Sequence, residues 1–243
     1  MNHRFGISNL TVARTALWQE ARLICDDALG RGLAFAAILH EAGDLADEQL
    51  LADADRQRAM RYRQDRDRQN FVLGRTMVHH LVRPKGASVP CAFSFGVHGK
   101  PFLPGCAAFN LSHSAEWVAC AVSPGTSIGI DVEAFLRLGD HRELLAATTH
   151  PAERRVIAEA EPDQRLALFK CCWTRKEAVL KATGKGLSDD LCSIDVGLAE
   201  RQPLVGDAAG LRLVDLRADA DRVTVCVALE TSVSGIVVMQ LSQ

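Results

Sequence analysis

Three carboxylates and one lysine are the residues of this chain best placed to do chemistry. Asp131 and Glu133 stand two apart in SIGIDVEAF, and Glu177 and Lys181 stand four apart in FKCCWTRKEAVLKATGKGL. Residues two apart on a strand share a face and lie about 7 Å from each other. Asp131 and Glu133 can therefore converge on one cation, and Gly129 leaves room beside them. Residues i and i+4 of a helix also share a face, which aligns Glu177 with Lys181 and sets Trp173 one turn before them. Mg²⁺ takes oxygen ligands, commonly one or two carboxylates together with substrate phosphates. A lysine ammonium supplies compact positive charge to a phosphoryl oxygen. The set could thus run a metal-assisted phosphoryl or phosphodiester reaction. Each piece alone also has a plainer reading: two acids on the solvent face of an edge strand, and a surface ion pair beside a core tryptophan.

The elements that must hold these residues can be read from periodicity. In SIGIDVEAF, Ile128, Ile130 and Val132 fall on one strand face, and Gly129, Asp131 and Glu133 fall on the other. Residues 139–183 read as mostly helical, broken at His150-Pro151 and Glu161-Pro162, with Gly184 as a stop. Upstream, 45–68 reads as one highly charged helix, followed by a more buried helix through Leu73, Met77 and Leu81 that Pro84 ends. Strand signals occupy CAFSFGVHGKPFL, AAFNLSHSAEWVACAVS and, near the end, LCSIDVGL, LRLVDLRA, RVTVCVALE and GIVVMQL. Residues 1–45 are poorly patterned. Helices followed by strands, twice over, predict an α+β fold of two similar α/β halves, 1–122 and 123–243, joined near Ser123-Pro124-Gly125.

Composition narrows the partners. The 243 residues are 48% hydrophobic and 24% charged, with a formal net charge of −2. Such a balance offers no global field for nucleic acid or an anionic membrane, and neither is expected as a partner. No apolar run approaches the roughly 20 residues of a membrane span. The early MNHRFGISNL lacks the apolar stretch of a signal peptide. The eight cysteines form no Cys-x-x-Cys pair and read as reduced core residues, so a cytoplasmic location is expected. Between 53 and 68 stand six arginines (56, 58, 61, 63, 66, 68) against four aspartates, a pattern usual for a solvated, salt-bridged helix.

Taken in order, the motifs resemble a known family. GIDVE followed by WTRKEAVLKATGKGL is similar to the 4′-phosphopantetheinyl transferases, in particular the long single-chain Sfp type. GKPFL at 99–103 resembles that family's Gly-Lys-Pro strand, and FNLSHSAEWVACAVS at 109–123 its Ser-His-Ser turn. RYRQDRDRQNFVLGR at 61–75 resembles its arginine-rich helix and Gly-Arg segment. The likeness covers roughly residues 45–235. It implies transfer of the phosphopantetheine arm of coenzyme A to a serine of an acyl or peptidyl carrier protein, with 3′,5′-ADP released. It also implies two halves related by a pseudo-twofold, with the site in the cleft between them.

Carried over residue by residue, the resemblance makes Asp131, Glu133 and Glu177 the Mg²⁺ ligands. Lys181 would hold the pyrophosphate, with Lys176 nearby. Ser112 and His113 would contact the 3′-phosphate of coenzyme A, helped by arginines chosen from Arg56, Arg58 and Arg61. Lys100 and Pro101 would lie beside the adenine. Glu177 or a metal-bound water would take the serine proton. A monomer is expected, since both halves lie in one chain. The rival reading is a non-catalytic coenzyme A- or carrier-binding protein of the same fold. His79-His80 and Cys171-Cys172 read as structural.

Overall fold

The computed structural model describes residues 2–5, 10–84, 92–134, 142–185, 191–200, 203–205, 210–219 and 223–242. Two mixed layers make up the molecule. The first sheet has five strands in the order β1 (Asn2–Phe5), β11 (Ile236–Ser242), β2 (Ala34–His40), β6 (Trp117–Ser123), β5 (Ala108–Ser114). The second has four, β7 (Ile128–Ala134), β10 (Val223–Glu230), β9 (Leu211–Asp219) and β8 (Leu204–Val205). A short hairpin, β3 (Ser94–Phe95) and β4 (Pro101–Phe102), stands apart.

Strand alternation stacks these layers. On β2, Phe35, Ala37 and Leu39 face a core shared with α1 (Leu10–Gly30) and α3 (Asp65–Leu81), through residues such as Trp18, Cys25, Leu73 and Met77. The intervening Ala34, Ala36 and Ile38 face the second sheet instead, meeting Ile128, Ile130, Val132, Val225 and Val227. The far face of the second sheet, with Cys226, Ala228 and Leu213, packs on α6 (Arg165–Thr183) through Phe169, Cys172, Ala178 and Val179. The order is helix, sheet, sheet, helix. Small residues at 34, 36, 119 and 121 let the two sheets approach, because each strand here is buried on both faces.

Helix α6 is the element that carries the candidate chemistry. Gly184 closes it in the left-handed region at φ 68°, its N–H returned to the Leu180 carbonyl. Before it, α4 (Arg142–Thr148) and α5 (Pro151–Glu159) are separated at His150-Pro151, where His150 and Glu153 form a reciprocal capping box. Both proline breaks fall where the sequence put them.

Elsewhere the structure departs from the periodicity. The charged helix expected over 45–68 is two single 3₁₀ turns, then α2 (Asp53–Ala59), then an interruption before α3. Tyr62, in the interruption, packs on Phe71 at 5.4 Å, and joins a small cluster with Leu51, Ala59 and Val72. LCSIDVGL is not a strand. Its backbone is bound by side chains: Lys176 donates to the Leu191 and Ile194 carbonyls, Arg175 to those of Val196 and Gly197, and Glu153 accepts from the Val196 N–H. Backbone groups satisfied in this way have no need of a ladder partner. The weakly patterned N-terminal segment contains the 21-residue α1 and the central strand β2. The last strand, β11, lies between β1 and β2, so the chain returns to the first sheet after completing the second.

Candidate active site

Strand β7 and helix α6 cross at Gly129. A Cβ there would lie 2.0 Å from the Ala178 carbonyl oxygen and 2.4 Å from the Ala182 nitrogen. The space that glycine leaves is therefore filled by the helix backbone itself. Contact at Gly129 brings the Asp131–Glu133 face of β7 against the Trp173–Glu177–Lys181 face of α6, so that these two acids of an edge strand meet a helix rather than open solvent.

Asp131 is buried, at 3% exposure. Its Oδ1 accepts from Lys181 Nζ at 2.6 Å and from the Ser112 hydroxyl at 2.9 Å. Its Oδ2 is buried and has no hydrogen-bond partner. Glu133 accepts from Trp173 Nε1 at 3.2 Å on one oxygen and from the Ser114 hydroxyl at 3.0 Å on the other. No hydrogen bond joins the Glu177 carboxylate to the described residues. Burial, then the Asp131 charge, push the Glu177 carboxyl above its ordinary value, and Glu133 adds to the effect while Lys181 opposes it. Glu133 is raised for the same first two reasons, opposed by Ser114, Trp173 and Lys181. Lys181 turns to Asp131 rather than forming the surface pair with Glu177 that helical spacing allows.

Whether a divalent cation suits this place can be tested on the donors. Three carboxylates feel one another, Lys181 answers them with Lys170 acting on Glu133, and one carboxylate oxygen is buried without a partner. An orphaned buried oxygen on a charged group costs free energy unless a ligand meets it. All the donors are hard oxygens, the set that Mg²⁺ prefers. Among the described residues no three acids, histidines or cysteines are already drawn into a closed metal cage. The site thus fits the ion in charge and donor type.

The other sequence-predicted residues divide. Ser112 is in the cluster, but its hydroxyl is taken up by Asp131, by Lys181 Nζ at 2.9 Å and by the Val132 N–H at 3.2 Å. His113, next on β5, points to the opposite face and is exposed. Although its side chain reaches solvent, partial desolvation of the ring, then the Lys181 charge, hold its pKa below the usual value, against the pull of Asp67.

Lys176, expected near the phosphates, is not brought to the acidic cluster. It is 1% exposed and paired with buried Glu153 at 2.9 Å. A quarter turn of helix separates it from Glu177, and that rotation aims it into α5 and the 191–194 turn.

Lys100 reaches from the hairpin loop to the Ile128 carbonyl at 2.9 Å and the Ala182 carbonyl at 3.2 Å. Burial lowers its pKa to about 8. With Pro101, Phe102, Ser127 and Lys185 it lines a cleft of about 1120 Å³ beyond the C-terminal end of α6. Arg58 and Arg61 line a second groove with Tyr62, Phe93 and Phe95. Arg58 also stands over the Phe71 ring at 5.3 Å, while exposed Arg56 pairs with Asp53 at 3.5 Å. Arg66 and Arg68 pair with Glu116 and Glu48, as a solvated face predicts. The described cysteines are free thiols, and Cys91 and Gly186 lie outside the described residues. His80 stacks on Trp18 at 4.9 Å, a packing role.

Asn110 and Ser114 went unnoticed in the sequence. Asn110 accepts from the Ile130 N–H at 2.9 Å and Ser114 from the Ala134 N–H at 3.1 Å. The alternation in FNLSHS already placed Asn110, Ser112 and Ser114 on one strand face.

Residues 127–223, which hold β7 and α6, match the model of the 4′-phosphopantetheinyl transferase superfamily. A Synechocystis protein that provisionally carries the 4′-phosphopantetheinyl transferase name is 32% identical over 174 residues, 68% of this chain and 71% of its own length. The 4′-phosphopantetheinyl transferase of Bacillus subtilis is 32% identical over 149 residues, 60% of this chain and 65% of its own. The Escherichia coli K12 enzyme AcpT is 32% identical over 130 residues, 53% and 64% respectively. In the latter two the match spans just under two thirds of the relative.

Proposed function

Since this chain belongs to the 4′-phosphopantetheinyl transferase superfamily, we propose that it moves the 4′-phosphopantetheine arm of coenzyme A to a serine hydroxyl of an acyl or peptidyl carrier protein. The observation that carries this reading is the meeting of Asp131, Glu133, Glu177 and Lys181 where β7 crosses α6, with one Asp131 oxygen buried and unpartnered.

In the proposed reaction the carrier serine oxygen attacks the β-phosphorus of coenzyme A. The bond from that phosphorus to the bridging oxygen breaks, and 3′,5′-ADP leaves with the electron pair. Glu177 takes the serine proton; it is the one acid of the three with neither oxygen held by a described hydrogen bond, and burial raises its basicity. Lys181 stands where an ammonium can meet charge gathering on the leaving phosphate. Asp131, Glu133 and Glu177 would hold Mg²⁺, which when bound supplies positive charge to pyrophosphate oxygens. At the nucleotide end, His113 and arginines from Arg56, Arg58 and Arg61 would meet the 3′-phosphate, and Lys100 and Pro101 would flank the adenine. Coenzyme A carries roughly three and a half to four negative charges, more than one divalent ion offsets.

The long single-chain Sfp type is the form we favour, with two halves related by a pseudo-twofold and acting as a monomer. Its support is the pair of helix-covered sheets within one chain. The deciding experiment incubates the protein with apo carrier protein, coenzyme A and Mg²⁺, and reads the carrier mass. Gain of the phosphopantetheine mass, abolished by chelator, is expected. Binding of coenzyme A without any mass gain across a panel of carriers would overturn the reading and leave the non-catalytic alternative.

A further inference from the structure

Ser112 has no hydrogen-bonding capacity left for a nucleotide. A hydroxyl offers one donor and two acceptor positions. Ser112 Oγ donates to Asp131 Oδ1 at 2.9 Å, and accepts from Lys181 Nζ at 2.9 Å and from the Val132 N–H at 3.2 Å. The residue is 6% exposed. Both groups that reach Asp131 settle on Oδ1, which leaves Oδ2 buried and unpartnered.

The arrangement repeats one step along. Ser114 Oγ accepts from the Ala134 N–H and donates to Glu133 Oε2. Each serine of β5 thus grips the backbone of β7 and, with the same oxygen, the acid just before the residue it grips. Asn110 makes the backbone contact alone, to the Ile130 N–H. Strands β5 and β7 belong to different sheets, so these side chains, not a backbone ladder, set the register between them.

We propose that Ser112 is a positioning residue that fixes the rotamer of Asp131 so that Oδ2 faces a divalent cation, and that it is not a contact to the 3′-phosphate. This rests on the reading that Asp131 holds such a cation. Groups that orient a ligating carboxylate typically change metal affinity when removed, and Ser112 differs from Asn110 in having that second contact.

The test uses the full chain saturated with coenzyme A and follows Mn²⁺ binding by electron paramagnetic resonance. Affinity for 3′,5′-ADP is measured separately by calorimetry in metal-free buffer. Ser112→Ala should weaken Mn²⁺ binding by about tenfold or more and leave 3′,5′-ADP affinity within about twofold. Asn110→Ala, which loses only the backbone grip, should lower the melting temperature yet keep Mn²⁺ affinity. Weakened 3′,5′-ADP binding with unchanged Mn²⁺ binding in Ser112→Ala would make Ser112 a nucleotide contact. Equal loss of Mn²⁺ affinity in Asn110→Ala would reduce Ser112 to a strand clamp, and unchanged affinity in both assays would make its hydroxyl dispensable; each result overturns the proposal. Wild-type protein that binds no Mn²⁺ at these acids would instead overturn the metal reading, while carrier transfer is judged by its own assay.

Discussion

The Glu177 carboxylate is held by no described hydrogen bond, and Gly129 is pressed against a helix backbone; both should be sensitive to single-atom changes for opposite reasons. Glu177→Gln keeps shape and removes charge and basicity. Transfer should fall by about 10²-fold or more, with the melting temperature unchanged or raised, since burial disfavours this charge. Single-turnover transfer beside a thermal melt checks it, and near wild-type turnover would remove Glu177 from the chemistry. Gly129→Ala should cost about 3 kcal/mol in urea unfolding, because α6 has to back away from a new methyl. A variant as stable as wild type would mean that the helix does not rest on this strand. That Asp131 and Glu133 share one strand face could be read from spacing alone. The reason for the glycine could not, because the atoms that would collide with its Cβ belong to a helix some fifty residues on, and periodicity is silent about what crosses what.

Helix α6 illustrates the same limit over a longer reach. Its start after Pro162, its stop at Gly184 and the shared face of Trp173, Glu177 and Lys181 are local properties, and all were legible. The fate of Lys176 was not, since its partner Glu153 lies on α5 and neither spacing nor composition pairs them. The same holds for LCSIDVGL, whose alternation suits a strand but whose backbone is claimed by Lys176, Arg175 and Glu153. Lys176→Met should therefore act on stability first, losing about 3–5 kcal/mol by leaving Glu153 charged, buried and unpaired. Adding Glu153→Gln should recover part of that loss. Chemical unfolding of the single and double variants measures both, and a Lys176→Met protein of wild-type stability that fails only in coenzyme A binding would return this lysine to the phosphates.

Taken whole, the molecule is joined across its two sheets by polar threads as well as by apolar packing. Lys100 adds another such thread, tying the separate hairpin to carbonyls of β7 and α6. Burial lowers its pKa from 10.5 to about 8, so between those values the unfolded chain holds a proton that the folded one has released. Stability contributed by this group should rise with pH across that window and be smallest below it. Unfolding curves between pH 7.5 and 10 should show the positive slope in wild type and a flatter one in Lys100→Met; identical slopes would dismiss the link. Element order predicts helices and strands in two runs, but the return of β11 to the first sheet was not legible, because a strand's sequence does not say which neighbours it will take. That return has a consequence for synthesis on the ribosome. Strand β2 emerges early, yet its parallel neighbour β11 is translated about 200 residues later. At about 5–20 residues per second the gap is roughly 10–40 s, during which an apolar strand edge waits without its mate. A nascent chain stalled at Gly235 should be cut readily by protease throughout the first sheet, whereas the released chain should resist; equal resistance would mean that the sheet closes without its final strand. The first sheet is thus expected to close in one step, when β11 is threaded between β1 and β2.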